Sequence, residues 1–256
     1  AGTAGFVFAG GAAAILGEVV LATARGNPGL TPRLLFIAAS AAFLGALLRS
    51  VLYARNDPLV LGFTSVLLWL LADLAAGVGW RAVGVAIGVS LLFGSLSIAL
   101  QTASIPGMLT GVFLSLVAVV LGGYGWFAVL IAFFGVGGLS TKYRYGVKVE
   151  RGVAEPNEGA RGTGNVLGNS LAALVALLLF AAHPRLPVSS VVFVYAFAGS
   201  VATALADTLS SEIGGLYDRP RLLTTLEPVP PGTDGAVTWQ GELAGIAGAA
   251  LIGVLG

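Results

Sequence analysis

Cysteine is absent from this 256-residue chain, histidine occurs once, at His183, and only 10% of the residues are charged. The lack of cysteine excludes a disulfide framework, a thiolate metal site and a thiol nucleophile. One histidine argues against a transition-metal site and against Ser-His-Asp catalysis. A soluble domain carries roughly 25% charged residues, so this is neither a soluble globule nor a disordered chain. The net charge of +1 argues against a nucleic-acid-binding module, and we expect no nucleic acid partner.

Hydrophobic residues make up 57% of the chain and are grouped into long runs. About 20 mostly apolar residues cross a bilayer as a helix, and nine segments meet that requirement. They cover residues 3–24, 33–54, 59–79, 82–101, 105–122, 124–140, 165–182, 188–206 and 238–256. The sequence therefore predicts an all-α fold, a polytopic membrane helix bundle of about nine transmembrane helices, with about eight to ten as the range. We expect a single integral-membrane domain over residues 1–256.

Charged residues are concentrated between Lys142 and Glu242, which hold 8 of the 13 basic and 9 of the 12 acidic residues. Most lie in two polar loops, about 140–164 and 207–238. Two predicted spans separate the loops, so both loops should face the same compartment and could form one site. Residues 133–242 are therefore the expected catalytic half.

The distribution of Lys and Arg predicts the orientation of these loops. Nine basic residues fall on the side of the polar loops and four on the other side, which places the loops in the cytoplasm. The nine are Arg49, Arg55, Lys142, Arg144, Lys148, Arg151, Arg161, Arg219 and Arg221, and the four are Arg25, Arg33, Arg81 and Arg185.

A polar stretch, Asp207-Thr-Leu-Ser-Ser-Glu212, continues the eighth span. On a helix Asp207 and Ser211 share a face, and Glu212 points elsewhere around the axis. A carboxylate near an apolar helix is costly unless it is paired, hydrated or bound to a metal; roughly 3 kcal/mol for Asp at a helix centre sets the scale. We expect Asp207 and Ser211 to be catalytic and Ser210 to bind phosphate. A polar cap at the lipid boundary is the simpler alternative.

A glycine-bracketed turn, Gly232-Thr-Asp-Gly235, precedes the last span. Asp234 in this turn is a candidate third carboxylate beside Asp207 and Glu212, and Thr233 is a candidate phosphate ligand. Clustered carboxylates repel one another unless a cation lies between them. The sequence therefore predicts that Asp207, Glu212 and Asp234 bind Mg²⁺, although a Gly/Asp loop alone also explains the turn.

Basic and amide side chains surround the first polar loop. Lys142 and Lys148 are the only lysines of the chain, and Arg161, Asn165 and Asn169 step by four into the seventh span. A helix N-terminus beside Gly and Arg suits an anionic phosphate. We expect the two lysines to be catalytic and the other three to bind phosphate. Anchoring at the membrane surface and helix capping are the alternatives.

These motifs, Arg161-Gly-Thr-Gly-Asn165, Asp207-Thr-Leu-Ser-Ser-Glu212 and Gly232-Thr-Asp-Gly235, occur in this order after Lys142 and Lys148. Over about residues 60–256 the sequence resembles the integral-membrane family, formerly a domain of unknown function, of transmembrane protein 19 and plant phytyl-phosphate kinase. The related prenol and dolichol kinases suggest the same chemistry. The resemblance implies phosphoryl transfer from a nucleoside triphosphate, with CTP expected, to an isoprenyl monophosphate of phytyl or geranylgeranyl type. Mg²⁺ remains the cofactor expected from the three carboxylates, and the lipid bilayer the surroundings expected from the composition.

Two other functions remain open at this point. A cytidylyltransferase would use the same groups to attack the α-phosphate and release pyrophosphate. A transporter of an anionic lipid or metabolite would explain the ionisable residues Glu18 and Asp73 in predicted spans. The sequence assigns no role to Glu18, Arg49 or Asp73.

Overall fold

The computed structural model describes residues 2–24, 26, 29–51 and 57–256. Arg25 and Arg55, which were counted in the predicted charge bias, lie outside these residues. The described chain is mainly helical, which confirms the predicted all-α membrane bundle. Its only sheet is a two-residue antiparallel pair in the second polar loop, β1 (Arg221–Leu222) and β2 (Ala236–Val237).

Ten α-helices are present within the described ranges. They are α1 (Gly2–Ala24), α2 (Pro32–Val51), α3 (Asp57–Leu74), α4 (Trp80–Ala99), α5 (Ile105–Val117), α6 (Tyr124–Lys142), α7 (Tyr145–Glu150), α8 (Thr163–Ala182), α9 (Ser190–Gly214) and α10 (Trp239–Leu255). Seven helical segments here are long and apolar enough to cross a membrane, and shorter apolar helices occur in α3 and at α10. These nine elements correspond to the nine predicted spans.

Local signals in the sequence explain where the helices begin and end. Ser104 caps α5 by accepting a hydrogen bond from the Gly107 N–H (3.3 Å), and Thr238 caps α10 by accepting one from the Gly241 N–H (3.2 Å). Such caps satisfy backbone donors that have no partner inside the helix. After α5 a π-helical turn leads to Gly123, whose φ of 94° only glycine adopts readily. The chain reverses there into α6.

The helices pack around α5, which is buried from Leu109 to Val117 and contacts α2, α4 and α8. The α9 helix packs against α6, α8 and α10. The outer faces are apolar: Phe63 is 73% exposed and Val254 is 86% exposed. Such surfaces are suited to lipid rather than water, so the chain is an integral membrane protein.

The two polar loops lie against each other at one end of the bundle. The Arg151 guanidinium donates a hydrogen bond to the Asp218 carboxylate (2.7 Å), and Arg151 and Asp218 belong to different loops. This contact confirms that both loops lie on the same side. At the opposite end the Arg185 guanidinium donates to the Asp73 carboxylate. Arg49, for which the sequence predicted no role, lies over the Phe6 ring, 5.0 Å from its centroid.

Candidate functional site

A buried ion pair joins the first polar loop to α9. The Lys148 side chain on α7 is 1% exposed, and its ammonium donates to the Glu212 carboxylate (2.5 Å) and to the carbonyl oxygens of Ser140 (2.7 Å) and Thr141 (3.1 Å). Helix C-terminal carbonyls lack partners within the helix and attract a cation. Lys148 reaches these acceptors because Arg144, immediately before α7, adopts a left-handed backbone conformation with a φ of 51°.

Lys148 was expected to be catalytic, a role in which its ammonium would contact a phosphate group. An ammonium has three donors, and in this structure each of them already has an acceptor. The geometry therefore makes Lys148 a link between α6 and α9. A phosphate contact would require it to release one of these bonds.

Arg161 is held by its backbone to the connection between α4 and α5. Its N–H donates to the Thr102 carbonyl (2.9 Å), and its carbonyl accepts from the Ser104 N–H (3.0 Å). Gly107 permits this approach, because a Cβ there would lie 2.1 Å from the Arg161 carbonyl oxygen. The side chain is 7% exposed and its guanidinium lies 5.6 Å from the centroid of the Phe133 ring.

The Arg161 guanidinium has unused hydrogen-bonding capacity. Its Nε and Nη1 atoms are buried and have no hydrogen-bond partner among the residues that the structure describes. Burial lowers the pKa of Arg161, and the carboxylates of Glu212 and Glu155 act in the opposite direction. A guanidinium is not deprotonated in proteins. The described buried charges are thus two cations, Lys148 and Arg161, and one anion, Glu212. This excess of positive charge favours binding of an anion.

An apolar cavity of about 230 Å³ adjoins Arg161. Its lining comes mainly from α4, α5 and α6: Phe93, Leu96, Ser97, Leu100, Thr102, Ala103, Gly107, Met108, Gly111, Ile131, Phe134, Gly135, Leu139, Arg161 and Val166. Arg161 is the single charged residue among them. The arrangement joins a buried cation to a hydrocarbon-lined space, as an amphiphilic anion requires.

A polar cleft of about 300 Å³ lies on the other side of the connection between α4 and α5. Its lining includes Gln101, Ser104, Lys142 and Asn157, and Ala103 lines both this cleft and the apolar cavity. The Lys142 ammonium donates to the Glu158 carbonyl (2.6 Å). Lys142 therefore lines a cleft that shares Ala103 with the apolar cavity.

Asn165 and Asn169 share one face of α8, because the Asn169 amide donates to the Asn165 side-chain oxygen (3.1 Å) and main-chain oxygen (3.0 Å). Ser210 is committed to packing between α9 and α10, since its hydroxyl donates to the Gly241 carbonyl (3.2 Å). Thr233 closes its own turn by donating to the Pro230 carbonyl (2.8 Å).

The three carboxylates predicted to bind Mg²⁺ do not converge. Among the described residues, no three His, Asp or Glu side chains lie close enough to bind one metal ion. The α9 helix continues to Gly214, and five helical steps put Glu212 about 140° around the axis from Asp207. Glu212 therefore points inward to Lys148, whereas Asp207 and Asp234 are exposed. Exposed Ser211 lies beside Asp207 and donates to its carbonyl (3.0 Å).

The segment from Thr102 to Ser104 is a part of the site that sequence reasoning missed. It was predicted only as a break between two spans. The Ser104 N–H and hydroxyl both donate to the Arg161 carbonyl, 57 positions along the chain. The backbone part of this pairing leaves no side-chain motif in the sequence. The helix-capping residue Ser104, followed three positions later by Gly107, is the one feature of the sequence that indicates close backbone packing here.

Comparison with known proteins gives a consistent family. The family model described as "Integral membrane protein DUF92" matches residues 88–256. An uncharacterized membrane protein of Synechocystis sp. is 38% identical over 135 residues, which are 52% of this chain and 52% of that protein. The chloroplastic protein VTE6 of Arabidopsis thaliana is 38% identical over 125 residues, 48% of this chain and 38% of that protein.

An uncharacterized membrane protein of Methanocaldococcus jannaschii is 37% identical over 137 residues, 52% of this chain and 53% of that protein. The chain thus spans about half or less of the length of these relatives. No solved structure matches it.

Proposed function

The chain belongs to the DUF92 family of integral membrane proteins, as the sequence led us to expect, and we propose that it is a membrane kinase. The proposed reaction transfers a phosphoryl group from a nucleoside triphosphate, CTP in our proposal, to an isoprenyl monophosphate of phytyl or geranylgeranyl type. The positive bias of the polar loops supports the cytoplasmic side for this reaction.

The observation that carries the proposal is the unpartnered guanidinium of Arg161 at the end of an apolar cavity. An isoprenyl monophosphate is an anion attached to a hydrocarbon. Guanidinium donors match phosphate oxygens in geometry and charge, and the apolar lining matches the hydrocarbon. A water-soluble anion would not need such a lining.

The chemistry follows from these positions. A phosphate monoester has its second pKa near 6, so its oxygen is already ionised at neutral pH and needs no general base. That oxygen forms a new bond to the γ-phosphorus of the nucleotide, the bond from the γ-phosphorus to the bridging oxygen breaks, and a nucleoside diphosphate leaves. Catalysis is then mainly positioning and charge neutralisation. Arg161 would hold the acceptor phosphate, and Lys142, in the cleft that shares Ala103 with the apolar cavity, would contact the triphosphate.

The remaining polar residues would complete the site from the loop side. Mg²⁺ is usually held by one or two carboxylates together with substrate phosphates and water, so exposed Asp207 and Asp234 suit it without a third carboxylate. When bound, Mg²⁺ would neutralise triphosphate charge. Asn165, Asn169 and Ser211 would orient phosphate groups.

The test is an assay of the purified protein with Mg²⁺, CTP and geranylgeranyl phosphate, read by mass spectrometry. Arg161→Gln removes the charge and at least two donors. Hydrogen bonds to charged groups contribute about 1.5–3 kcal/mol each, so kcat/KM for the lipid should fall by about 100-fold or more. Arg185→Gln is the matched control, because Arg185 lies at the opposite end of the bundle and should change the rate less than twofold.

The products separate the proposed kinase from its competitors. Release of a nucleoside diphosphate supports a kinase, whereas release of pyrophosphate identifies a cytidylyltransferase. Movement of the lipid or of an anion across vesicles without nucleotide consumption would identify a transporter. Formation of isoprenyl diphosphate at an unchanged rate by Arg161→Gln would refute the role given to Arg161.

A further inference from the structure

The apolar cavity beside Arg161 is open on one side, between α4 and α6. Within the described chain α4 packs on α5, and α6 packs on α9 and α10, but α4 and α6 do not pack extensively on each other. Leu96, Leu100 and Leu139 line the cavity and are nevertheless 49%, 57% and 59% exposed. Leucines exposed on the flank of a membrane bundle face lipid, so this opening leads to the bilayer rather than to water.

The other sides of the cavity are lined by aromatic rings, by α5 and by Arg161. The rings of Phe93 on α4 and Phe134 on α6, with centroids 6.0 Å apart, lie between the two helices, about one helical turn before Ile131. The α5 helix forms the back wall, and Arg161 lies at the end nearest the polar loops. The lining residues of α6 run from Leu139 to Ile131. Eight residues at 1.5 Å each make the cavity about 12 Å deep along α6.

This depth is less than the length of the proposed substrate. An extended chain of single bonds advances about 1.2 Å per bond, as the polypeptide backbone does, so the 16-carbon backbone of a phytyl or geranylgeranyl group measures about 18 Å. With its phosphate at Arg161, the tail is longer than the part of the cavity that runs along α6 from Leu139 to Ile131. The remainder has to leave through the open side.

We propose that the gap between α4 and α6 is a lateral portal through which the isoprenyl tail passes. The cavity holds the part of the tail nearest the phosphate, and the distal part lies in the bilayer between Leu96 and Leu139. This inference rests on the proposed function for the identity of the anion at Arg161. It adds that the substrate arrives from the membrane, and that recognition is limited to the first part of the chain.

The absence of native cysteine allows the portal to be closed chemically. In the variant Leu96→Cys/Leu139→Cys, a bifunctional methanethiosulfonate reagent would join α4 to α6 by a bridge that dithiothreitol removes. Binding is measured without nucleotide, as thermal stabilisation of the protein in nanodiscs by added isoprenyl phosphate. We expect the bridge to weaken the binding of geranylgeranyl phosphate at least tenfold, and reduction of the bridge to restore it. The binding of dimethylallyl phosphate, which has no distal tail, should change less than twofold.

A second variant tests the same portal without a reagent. Gly135 lines the cavity and a Cβ there meets nothing within 4 Å, so Gly135→Leu would place a side chain in the path of the tail. Gly125→Leu is the matched control, because Gly125 is on the same helix, is exposed, and also has open space around its Cβ. Gly135→Leu should weaken the binding of geranylgeranyl phosphate at least tenfold, and Gly125→Leu should leave that binding unchanged. Single-cysteine variants treated with the reagent control for its attachment.

The outcomes separate the portal from the kinase reaction. Geranylgeranyl phosphate binding that is unaffected by both the bridge and Gly135→Leu would overturn the portal, as would equal loss of the long and the short ligand. Portal behaviour as expected, with no diphosphate product on addition of Mg²⁺ and CTP, would remove the kinase and leave the portal. If the bridged protein formed the diphosphate product at an undiminished rate, the portal would be overturned and the kinase would remain.

Discussion

Replacing Lys148 by methionine tests whether this residue holds the bundle together. Methionine keeps the length of the side chain and removes its charge. The Thr141 carbonyl then loses its donor, and the Ser140 carbonyl keeps only the Tyr143 N–H (3.2 Å). Glu212, only 7% exposed, loses its direct ion-pair partner. Removing one member of a buried pair costs about 3–5 kcal/mol. In a chain of this size 1 kcal/mol shifts the melting temperature by about 2–4 °C, so the expected decrease is roughly 10 °C.

The assay is thermal unfolding of the purified protein in one detergent, with three further variants. Glu212→Gln should have a comparable effect, and Lys148→Met/Glu212→Gln should destabilise by less than the sum of the single changes, because the two residues interact. Arg151→Met breaks the more exposed pair with Asp218 and should cost at most about 1 kcal/mol.

A different pattern would refute this reasoning. If Lys148→Met melted within 2 °C of the wild type and yet lost activity by more than about 100-fold, the lysine would act on substrate. Additive effects of the Lys148 and Glu212 variants would likewise show that the ion pair contributes no coupling.

Three further outcomes are expected. Gly107→Ala should displace the Arg161 backbone and lower kinase activity at least tenfold, because the new Cβ would lie 2.1 Å from the Arg161 carbonyl oxygen. Gly168→Ala is the control: Gly168 lies on α8 with open space around its Cβ, so this change should leave the activity unaltered in the same assay. Asp207→Asn should abolish turnover without loss of folded protein, and Mg²⁺ with CTP should raise its melting temperature much less than that of the wild type; near-normal turnover would remove Asp207 from the metal site. Single cysteines at Glu155 and Glu227 should react with an impermeant maleimide from the cytoplasmic side alone, and labelling of the two from opposite sides would contradict the loop contacts.

The helices were predictable because the physical cause is local. A run of about 20 apolar residues has to cross the bilayer as a helix, and the polar breaks before Ser104 and Thr238 mark helix starts. The shared side of the two loops also followed, since two spans between them return the chain to the same surface. The Arg151–Asp218 contact agrees with that count.

The partners within the site were not predictable, because they depend on which helices pack together. Helical spacing indicated that Asp207 and Glu212 point in different directions, but not that Glu212 meets a lysine from another loop. The cavity depends on a shape that hydropathy does not encode. It is lined by α4, α5 and α6, and three of its lining residues, Gly107, Gly111 and Gly135, have no side chain that could fill it.

The Lys148–Glu212 pair also constrains how the protein is made. Its two members are 64 residues apart in the chain, and ribosomes add about 5–20 residues per second. Lys148 is therefore synthesised roughly 3–13 s before its carboxylate. During that interval α8 and α9 have not yet been inserted, and a lysine buried without a counter-charge would be costly. We expect α7 to stay at the membrane surface until α9 has been inserted. The two polar loops would therefore assemble into a site only once α9 is in the bilayer.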